Sequence, residues 1–455
     1  MRILIVGVGK IGYTVAYWLA REGHMVTVID KDIDILTRVV NELDVVGFCG
    51  SGIDSAILQE AQISEMDLFA ALTGSDEQNL ISCLIAKNLG VKNTIARIRQ
   101  PAYSSILPVI SGDLGLSMSV NPEYEAAMEI ARILEFPFAK KVDTFVHGKV
   151  EMIDYDVESS SPLCGRCIKD VFAKMRTALV CAVDRDGEVF IPLGDFKFEA
   201  GDIITIIAPT GNLGDFFKES GMRRHTIKKI IICGGGRIGV YLARHLISRR
   251  VSVVILEHSE KTAREIAAAL PAAEVIVGDG TSPYILEETG ISGADAFCCL
   301  TGIDEENILT SLHVKKEFPG IKTVTKINRA ELIPIVKPLG VGSVVSPKQI
   351  AADGIVSFVR AKQNGVGSGV LTLHRLINGK VEALEFDVGV DSRLRDVPIK
   401  DLRFKSSVIL ACINRGGEII SPHGGDMLRV GDTVIVVTTH SGFDVLDDII
   451  EGGGR

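Results

Sequence analysis

A six-residue string near the start of the chain, Gly7-Val8-Gly9-Lys10-Ile11-Gly12, returns as Gly234-Gly235-Gly236-Arg237-Ile238-Gly239. That duplication limits the available folds more than any other feature, because a repeated unit must be interpreted before any motif inside it. The match extends well beyond the glycines. Leu72-Thr73-Gly74-Ser75-Asp76-Glu77-Gln78-Asn79 returns as Leu300-Thr301-Gly302-Ile303-Asp304-Glu305-Glu306-Asn307. Ser161, Leu163, Ile168, Lys169 and Asp170 match Ser392, Leu394, Ile399, Lys400 and Asp401. Gly187-Glu188, Pro192 and Gly201-Asp202 match Gly417-Glu418, Pro422 and Gly431-Asp432. The offset is 227 where residue 7 meets residue 234, and 230 where residue 201 meets residue 431. So small a drift is the trace of a tandem duplication with short loop insertions, and each copy fills about half of the 455 residues.

Within each copy the hydrophobic pattern changes part-way. Residues 3–6, 25–29, 45–48, 68–72, 94–98 and 116–120 are short apolar runs, and 11–20 and 79–89 carry apolar residues at helical spacing. Strands alternating with helices build a parallel, doubly wound sheet. Beyond a helix expected at 123–136, residues 178–184, 188–192 and 202–208 read as strands joined by the turns Asp186-Gly187 and Ala200-Gly201. The second copy repeats this at 408–414, 418–422 and 432–438, after a helix expected at 348–363. The expected fold is α/β: two tandem copies of a Rossmann-like doubly wound parallel sheet lobe plus a small αβ C-terminal lobe. The boundaries fall at 1–138, 139–222, 226–363 and 366–455, and a basic cluster, Arg223-Arg224-His225 with Lys228-Lys229, bridges the halves.

Composition narrows the setting. The formal charge of −9 argues against a nucleic-acid binder, and no apolar run approaches the ~20 residues that cross a bilayer. Met1 leads directly into the first strand without a secretory cleavage pattern, so a soluble intracellular protein is expected. Nine scattered cysteines suit a reducing compartment. The pair in Cys164-Gly165-Arg166-Cys167 lacks two further ligands for zinc and lacks a thioredoxin-like setting.

The glycine strings each follow a strand and open a helix. Glycines there permit a tight turn and close backbone approach, so that a pyrophosphate can rest on the helix N-terminus. The acidic residue expected to accept hydrogen bonds from ribose hydroxyls follows, as Asp30 after 26–29 and as Glu257 after 253–256. A carboxylate there favours NAD(H) over NADP(H), and an adenine mononucleotide such as ATP or ADP satisfies the same groups. Thr73-Gly74 and Thr301-Gly302 close the fourth strand beside the crevice, and the hydroxyls are candidate ligands. Asp76-Glu77 and Asp304-Glu305 occupy a helix's first turn, where capping explains them. Arg97 and Lys326 end the fifth strands, either as phosphate partners or as solvated cations. Asp279, where the first copy has Ser51, makes the two sites non-equivalent. No metal-binding spacing, Walker lysine motif or nucleophile elbow is present, and no catalytic residue is assigned. A sensor is therefore favoured over the alternative, an NAD-dependent oxidoreductase.

Over its whole length the sequence resembles the TrkA family, the tandem RCK (regulator of potassium conductance) regulatory subunits of Trk-type potassium uptake systems. The residues that carry the resemblance are the two glycine loops, Asp30 and Glu257, the paired Thr-Gly-x-Asp-Glu-x-Asn strings, Ala96-Arg97-Ile98-Arg99 and Ser346-Pro347. The resemblance implies a cytoplasmic protein, peripheral on the inner face of the membrane, forming a homotetrameric ring beneath a Trk-type potassium-translocating subunit. It also implies NAD(H) and ATP or ADP in the N-lobes, with ligand-dependent movement gating ion flow. The family's ligand positions fall on Gly7 to Ile11, Asp30, Thr73, Gly74 and Arg97, and on Gly234 to Ile238, Glu257, Thr301 and Lys326. Glu257 and Lys326 depart from Asp30 and Arg97. A nucleotide sensor serving another ion transporter is the remaining alternative.

Overall fold

The computed structural model describes residues 1–100, 103, 111–112, 114–136, 139–145, 149–172, 178–210, 212–220, 227–363, 370–376, 380–440 and 442–452. The expected basic cluster at Arg223-Arg224-His225 lies outside the described residues. The chain divides into two compact units, Met1–Leu134 with Ile227–Val356, and Glu135–Thr226 with Ser357–Arg455. The duplication is thereby regrouped: like joins like across the repeat.

In the first unit, the first lobe's strands pair in the order Val46–Cys49, Met25–Asp30, Arg2–Val6, Leu68–Ala71, Asn93–Arg97 and Met118–Val120. All five pairings are parallel. The second lobe repeats the order with Glu274–Val277, Ser252–Glu257, Lys229–Cys233, Ala296–Cys299, Lys322–Lys326 and Ser343–Val345, again parallel throughout. Each sheet is wound outward in both directions from its first strand, which leaves a crevice between the first and fourth strands at their carboxyl ends. The central runs are continuously apolar because both faces are covered; Ile3, Leu4, Ile5, Leu68, Phe69 and Ala70 are wholly buried.

The helix Pro122–Glu135 ends the first lobe, yet its apolar face belongs to the second. Ala126, Ala127, Ile130, Ala131, Ile133 and Leu134 share one core with Ile230, Ile232, Leu242, Leu246 and Ile255. From its side, the helix Pro347–Gln363 approaches the first lobe, where a Cβ on Gly354 would lie 3.7 Å from the Met118 Cε. For the first of these helices, core packing and lobe-to-lobe contact need no separate explanations. They are the same contact, because the core it fills is the other lobe's.

The second unit holds two antiparallel sheets. Their orders are Glu188–Phe190, Leu179–Arg185, Ile203–Pro209, Val150–Asp156, Ala139–Phe145, and Val370–Leu376, Val381–Asp387, Thr433–Thr438, Val408–Arg415, Glu418–Ile420. Met152, Ala182 and Ile207 of one sheet meet Ala383, Ala411 and Ile435 of the other in a shared core. The opposite face of the first sheet packs on Phe198, Phe216 and Phe217. Burial on both faces explains the mostly apolar run of Ile203–Pro209, whose one polar side chain, Thr205, donates its hydroxyl to Asp154 at 2.7 Å. Asp202 and Asp432, the acids of the repeated Gly-Asp string, are buried and accept paired hydrogen bonds from Arg185 (2.7 and 2.8 Å) and Arg415 (2.9 and 2.7 Å). Bidentate pairing of this kind satisfies a buried carboxylate that would otherwise be costly. The strands Ala139–Phe145, Val150–Asp156, Val370–Leu376 and Val381–Asp387 escaped the sequence reading because charged side chains, acidic or basic, interrupt them. The repeat of Val150-Glu151 as Val381-Glu382 was the signal that could have found them.

If the exchanged helix anchors the two lobes, Ile130→Ala should destabilise the first unit by about 2–5 kcal/mol, the usual cost of truncating a fully buried Ile. Urea denaturation followed by circular dichroism measures it, and a loss below about 1 kcal/mol would contradict the packing.

Candidate functional site

The first glycine loop is shaped by contacts that only glycine permits. Gly7 has φ +87°, and a Cβ there would approach the Thr73 N to 2.8 Å. A Cβ on Gly12 would come within 2.0 Å of the Gly7 O, so the helix Lys10–Arg21 packs directly on the turn. A Cβ on Gly9 would meet nothing. The second loop repeats the arrangement: Gly234 has φ +107°, Gly239 packs on the Gly234 O, and Gly236 faces open space. Val8 is fully buried, whereas its counterpart is glycine because Ile266 fills the place a Gly235 Cβ would take.

Four helix starts in this unit, at Asp32, Asp54, Ser75 and Ser259, are capped by side chains. The helices Lys10–Arg21 and Arg237–Ser248 start from Gly9 and Gly236 with no side-chain cap and no acid in the first turn. Their first-turn N–H groups and the positive end of the helix dipole remain available to an anion.

Asp30 and Glu257 hold the loops. Asp30 accepts from the Val8 N–H at 2.8 Å and the Asp32 N–H at 3.0 Å. Glu257, buried and one methylene longer, accepts from the Gly235 N–H and the Ser259 N–H, both at 2.9 Å, and lies 3.0 Å from the His258 Nδ1. Thr73 donates its hydroxyl to Asn79 at 2.7 Å, and Thr301 does the same to Asn307 at 2.8 Å. These wholly buried asparagines donate in turn to the Arg97 O and Lys326 O at 2.8 and 3.0 Å, tying the fourth strand's exit to the fifth's. The sequence showed both asparagines only as part of a repeated string.

Capping does not account for Asp76 and Asp304. Asp76 accepts from the Arg99 and Gln100 N–H groups, both at 2.8 Å, and Asp304 from the Asn328 and Arg329 N–H groups at 2.8 and 2.9 Å. Both acids satisfy backbone N–H groups leaving the fifth strand; in the first copy the Ser75 hydroxyl does the capping, and in the second Ile303 supplies no side-chain cap.

A cavity of about 720 Å³ opens over the first loop, a volume suited to a cofactor-sized ligand. Of the residues the sequence singled out, Gly7, Gly9, Lys10, Ile11, Asp30, Thr73, Gly74 and Arg97 line it; Val8 and Gly12 lie behind the wall. Two residues assigned by sequence to the second site, Ile238 and Lys326, line this first cavity instead. The exchanged helices turn the end of the second lobe's fifth strand toward the first loop. Asn328 and Lys348 come with it, and Glu123 projects from the crossing helix. Gly234, Gly235, Gly236, Gly239, Glu257 and Thr301 stay at the second loop, and Asp279 is held in its own turn by the Thr281 N–H and hydroxyl, both at 2.8 Å. Arg237 faces Glu123 at 3.9 Å.

The cavity is rich in cations for a chain of net charge −9. Lys10, Lys31, Arg97, Lys326 and Lys348 line it against Asp30 and Glu123. Neither reading of Arg97 as a free surface cation nor of Lys326 as one holds: Arg97 pairs with Glu123 at 3.6 Å, and the Lys326 Nζ donates to the Leu300 O at 3.1 Å. Burial pulls Arg97, Lys326 and Lys348 below their usual values, with Lys10 adding repulsion at Lys348. The Arg97 Nε and Glu123 Oε2 are buried without a hydrogen-bond partner among the described residues. Desolvated cations, the unpaired Arg97 Nε and the uncapped helix N–H groups together fit the phosphates of an adenine nucleotide or dinucleotide.

The TrkA-N domain model matches residues 3–122 and 230–347, and the TrkA-C domain model matches 152–221 and 383–451. The chain belongs to the TrkA family. It is 31% identical over 452 residues to the Trk system potassium uptake protein TrkA homolog of Archaeoglobus fulgidus, covering 99% of this chain and 100% of that one. It is 30% identical to TrkA homolog 1 of Methanosarcina mazei, covering 97% and 98%, and 30% identical to TrkA of Halomonas elongata, covering 96% and 95%. Among solved structures, the GsuK channel bound to NAD superposes with a TM-score of 0.64 at 19% identity, over 96% of this chain and 76% of that one. The GsuK RCK domain gives 0.63 at 19% identity, over 96% and 92%. The family thus shares the tandem architecture, and these neighbours share the fold.

Glu125, one turn along the crossing helix from the cavity, yields a pH signature. Burial pushes its carboxyl up to about 7, against the Asn121 N–H and Arg132. The folded state therefore keeps a proton that the unfolded chain releases near 4.5, and stability present below 4.5 is lost as pH rises through about 7. Thermal melts from pH 4.5 to 7.5 should show that decline, and Glu125→Gln should flatten it.

Proposed function

We propose that this chain is a cytoplasmic nucleotide-sensing regulatory subunit that gates a Trk-type membrane potassium transporter by ligand-dependent conformational change. Its ligand is NAD(H), with ATP or ADP as the adenine nucleotides that satisfy the same groups. It assembles as a homotetramer on the inner face of the membrane through its partner, in keeping with the absence, among the described residues, of any helix long and apolar enough to cross a bilayer. The relatives that support the reading are named for potassium uptake, which favours a regulator over an enzyme.

The observation that carries the reading is the composition of the cavity wall. Residues of both Rossmann-like lobes line one space, with Asp30 and Arg97 from the first and Lys326 and Lys348 from the second. When bound, a nucleotide supplies phosphate charge and ribose hydroxyls. The uncapped N-terminus at Gly9 and the cations take the phosphates, and Asp30 takes the ribose. A ligand held between two lobes prefers one lobe arrangement over another, and that difference in affinity is all it can deliver to a gate.

Potassium flux into proteoliposomes carrying a Trk-type membrane subunit, with and without this chain, tests the reading across NADH, NAD, ATP and ADP. A nucleotide-dependent change that Asp30→Ala or Glu257→Ala removes is expected. No response to any nucleotide would overturn the potassium assignment, and a response confined to another ion would move the chain to a different transporter.

A further inference from the structure

The helix Arg237–Ser248 has two attachments. Its N-terminus is the second glycine loop, with Gly236 as an uncapped start. Its first two turns lie against the first site. Arg237 reaches Glu123 at 3.9 Å, and Ile238 lines the first cavity. One turn further, the Tyr241 hydroxyl donates to the Arg99 O at 3.0 Å and accepts from the Asn121 side-chain amide at 3.3 Å. The Tyr241 ring meets that of Tyr124 edge-to-face, with centroids 5.5 Å apart.

Those two partners bracket the ion pair at the cavity wall. Arg99 follows Arg97 by two residues, and Asn121 precedes Glu123 by two. Tyr241 thus pins the exit of the fifth strand to the entry of the crossing helix on either side of the Arg97–Glu123 contact at 3.6 Å. Asp76 fixes the same stretch from the opposite side, through the Arg99 N–H. The strand pairing of Arg97 with Val120 and the Ile98 N–H to Val120 O hydrogen bond at 2.9 Å hold the same two segments together, and the Tyr241 hydroxyl is the tie between them that is carried on the helix the second site begins.

The duplication makes this link one of a kind. With residue 7 matching residue 234, Tyr241 corresponds to Thr14. The Thr14 hydroxyl turns back to donate to the Lys10 O on its own helix at 3.0 Å.

We propose that Tyr241 is a positioning residue that couples the two nucleotide sites, so that occupancy of the second loop sets the geometry of Arg97 and Glu123 in the first. The proposal rests on both loops binding nucleotide, as argued above. Coupling between binding sites is reciprocal, so a ligand in the first cavity changes affinity at the second by the same factor, of which about fivefold is the smallest typical size.

Calorimetric titration of the full chain with NADH, and separately with ATP, tests it. Glu257→Ala isolates the first site and Asp30→Ala the second. In the wild type, at least one of the nucleotides should bind the first site with an affinity differing by about fivefold or more from that in Glu257→Ala. Tyr241→Phe keeps the aromatic contact and loses only the hydroxyl; it should lower the melting temperature by a few degrees at most, as lost hydrogen bonds do, and bring that factor to about one. A merely structural tyrosine would show the same small drop in melting temperature with the factor intact, which overturns the proposal. Independent sites in the wild type overturn the coupling and leave the proposed function standing. Failure of the wild type to bind either nucleotide removes both.

Discussion

The apolar face of the helix Pro122–Glu135 is satisfied only in the lobe it does not belong to by sequence. Ile130 and Leu134 are buried among Ile232, Leu242 and Ile255, and each such side chain taken from water contributes on the order of 2 kcal/mol. That burial joins two Rossmann-like lobes into one unit. It also places Glu123, at the start of the same helix, between Arg97 of one lobe and Arg237 of the other. Without the exchange, each loop would face a site built from its own lobe alone.

Because the unit arose by duplication, its two crossings began as equivalents and have since diverged. The residue that opens the crossing helix is Glu123 in one copy and Lys348 in the other, and Lys348 faces the first cavity. Two lysines from the second lobe thus enrich the first site in positive charge, while Glu123 stands between Arg97 of that site at 3.6 Å and Arg237 of the second loop at 3.9 Å. At close range in a partly desolvated setting such differences in charge weigh heavily on which phosphate groups are accepted. The two sites share a backbone and differ in electrostatics.

Much of the fold was legible because its causes are local or periodic. Glycines at 7 and 234 mark a left-handed turn wherever they occur, and continuous apolar runs mark strands covered on both faces. The repeated strings were also legible, but not their reasons. Asn79 recurs as Asn307, Asp76 as Asp304 and Asp202 as Asp432 because each satisfies a specific set of buried partners. A sequence displays the recurrence, whereas the partner groups, lying about 15 to 25 residues away along the chain, appear only on folding.

The sequence by itself determined two copies of a doubly wound lobe, the glycine loops, and the places of the carboxylates Asp30 and Glu257 at the ends of the second strands. These follow from backbone sterics, hydrophobic period and residue chemistry, all of which act over a few residues. Only the tertiary structure decided that Lys326 and Ile238 serve the first site, that Arg97 faces Glu123, and that Tyr241 reaches across to Arg99. Those outcomes depend on which lobe buries which helix. That choice is made by the complementary shape of two cores, and no string of neighbouring residues records it.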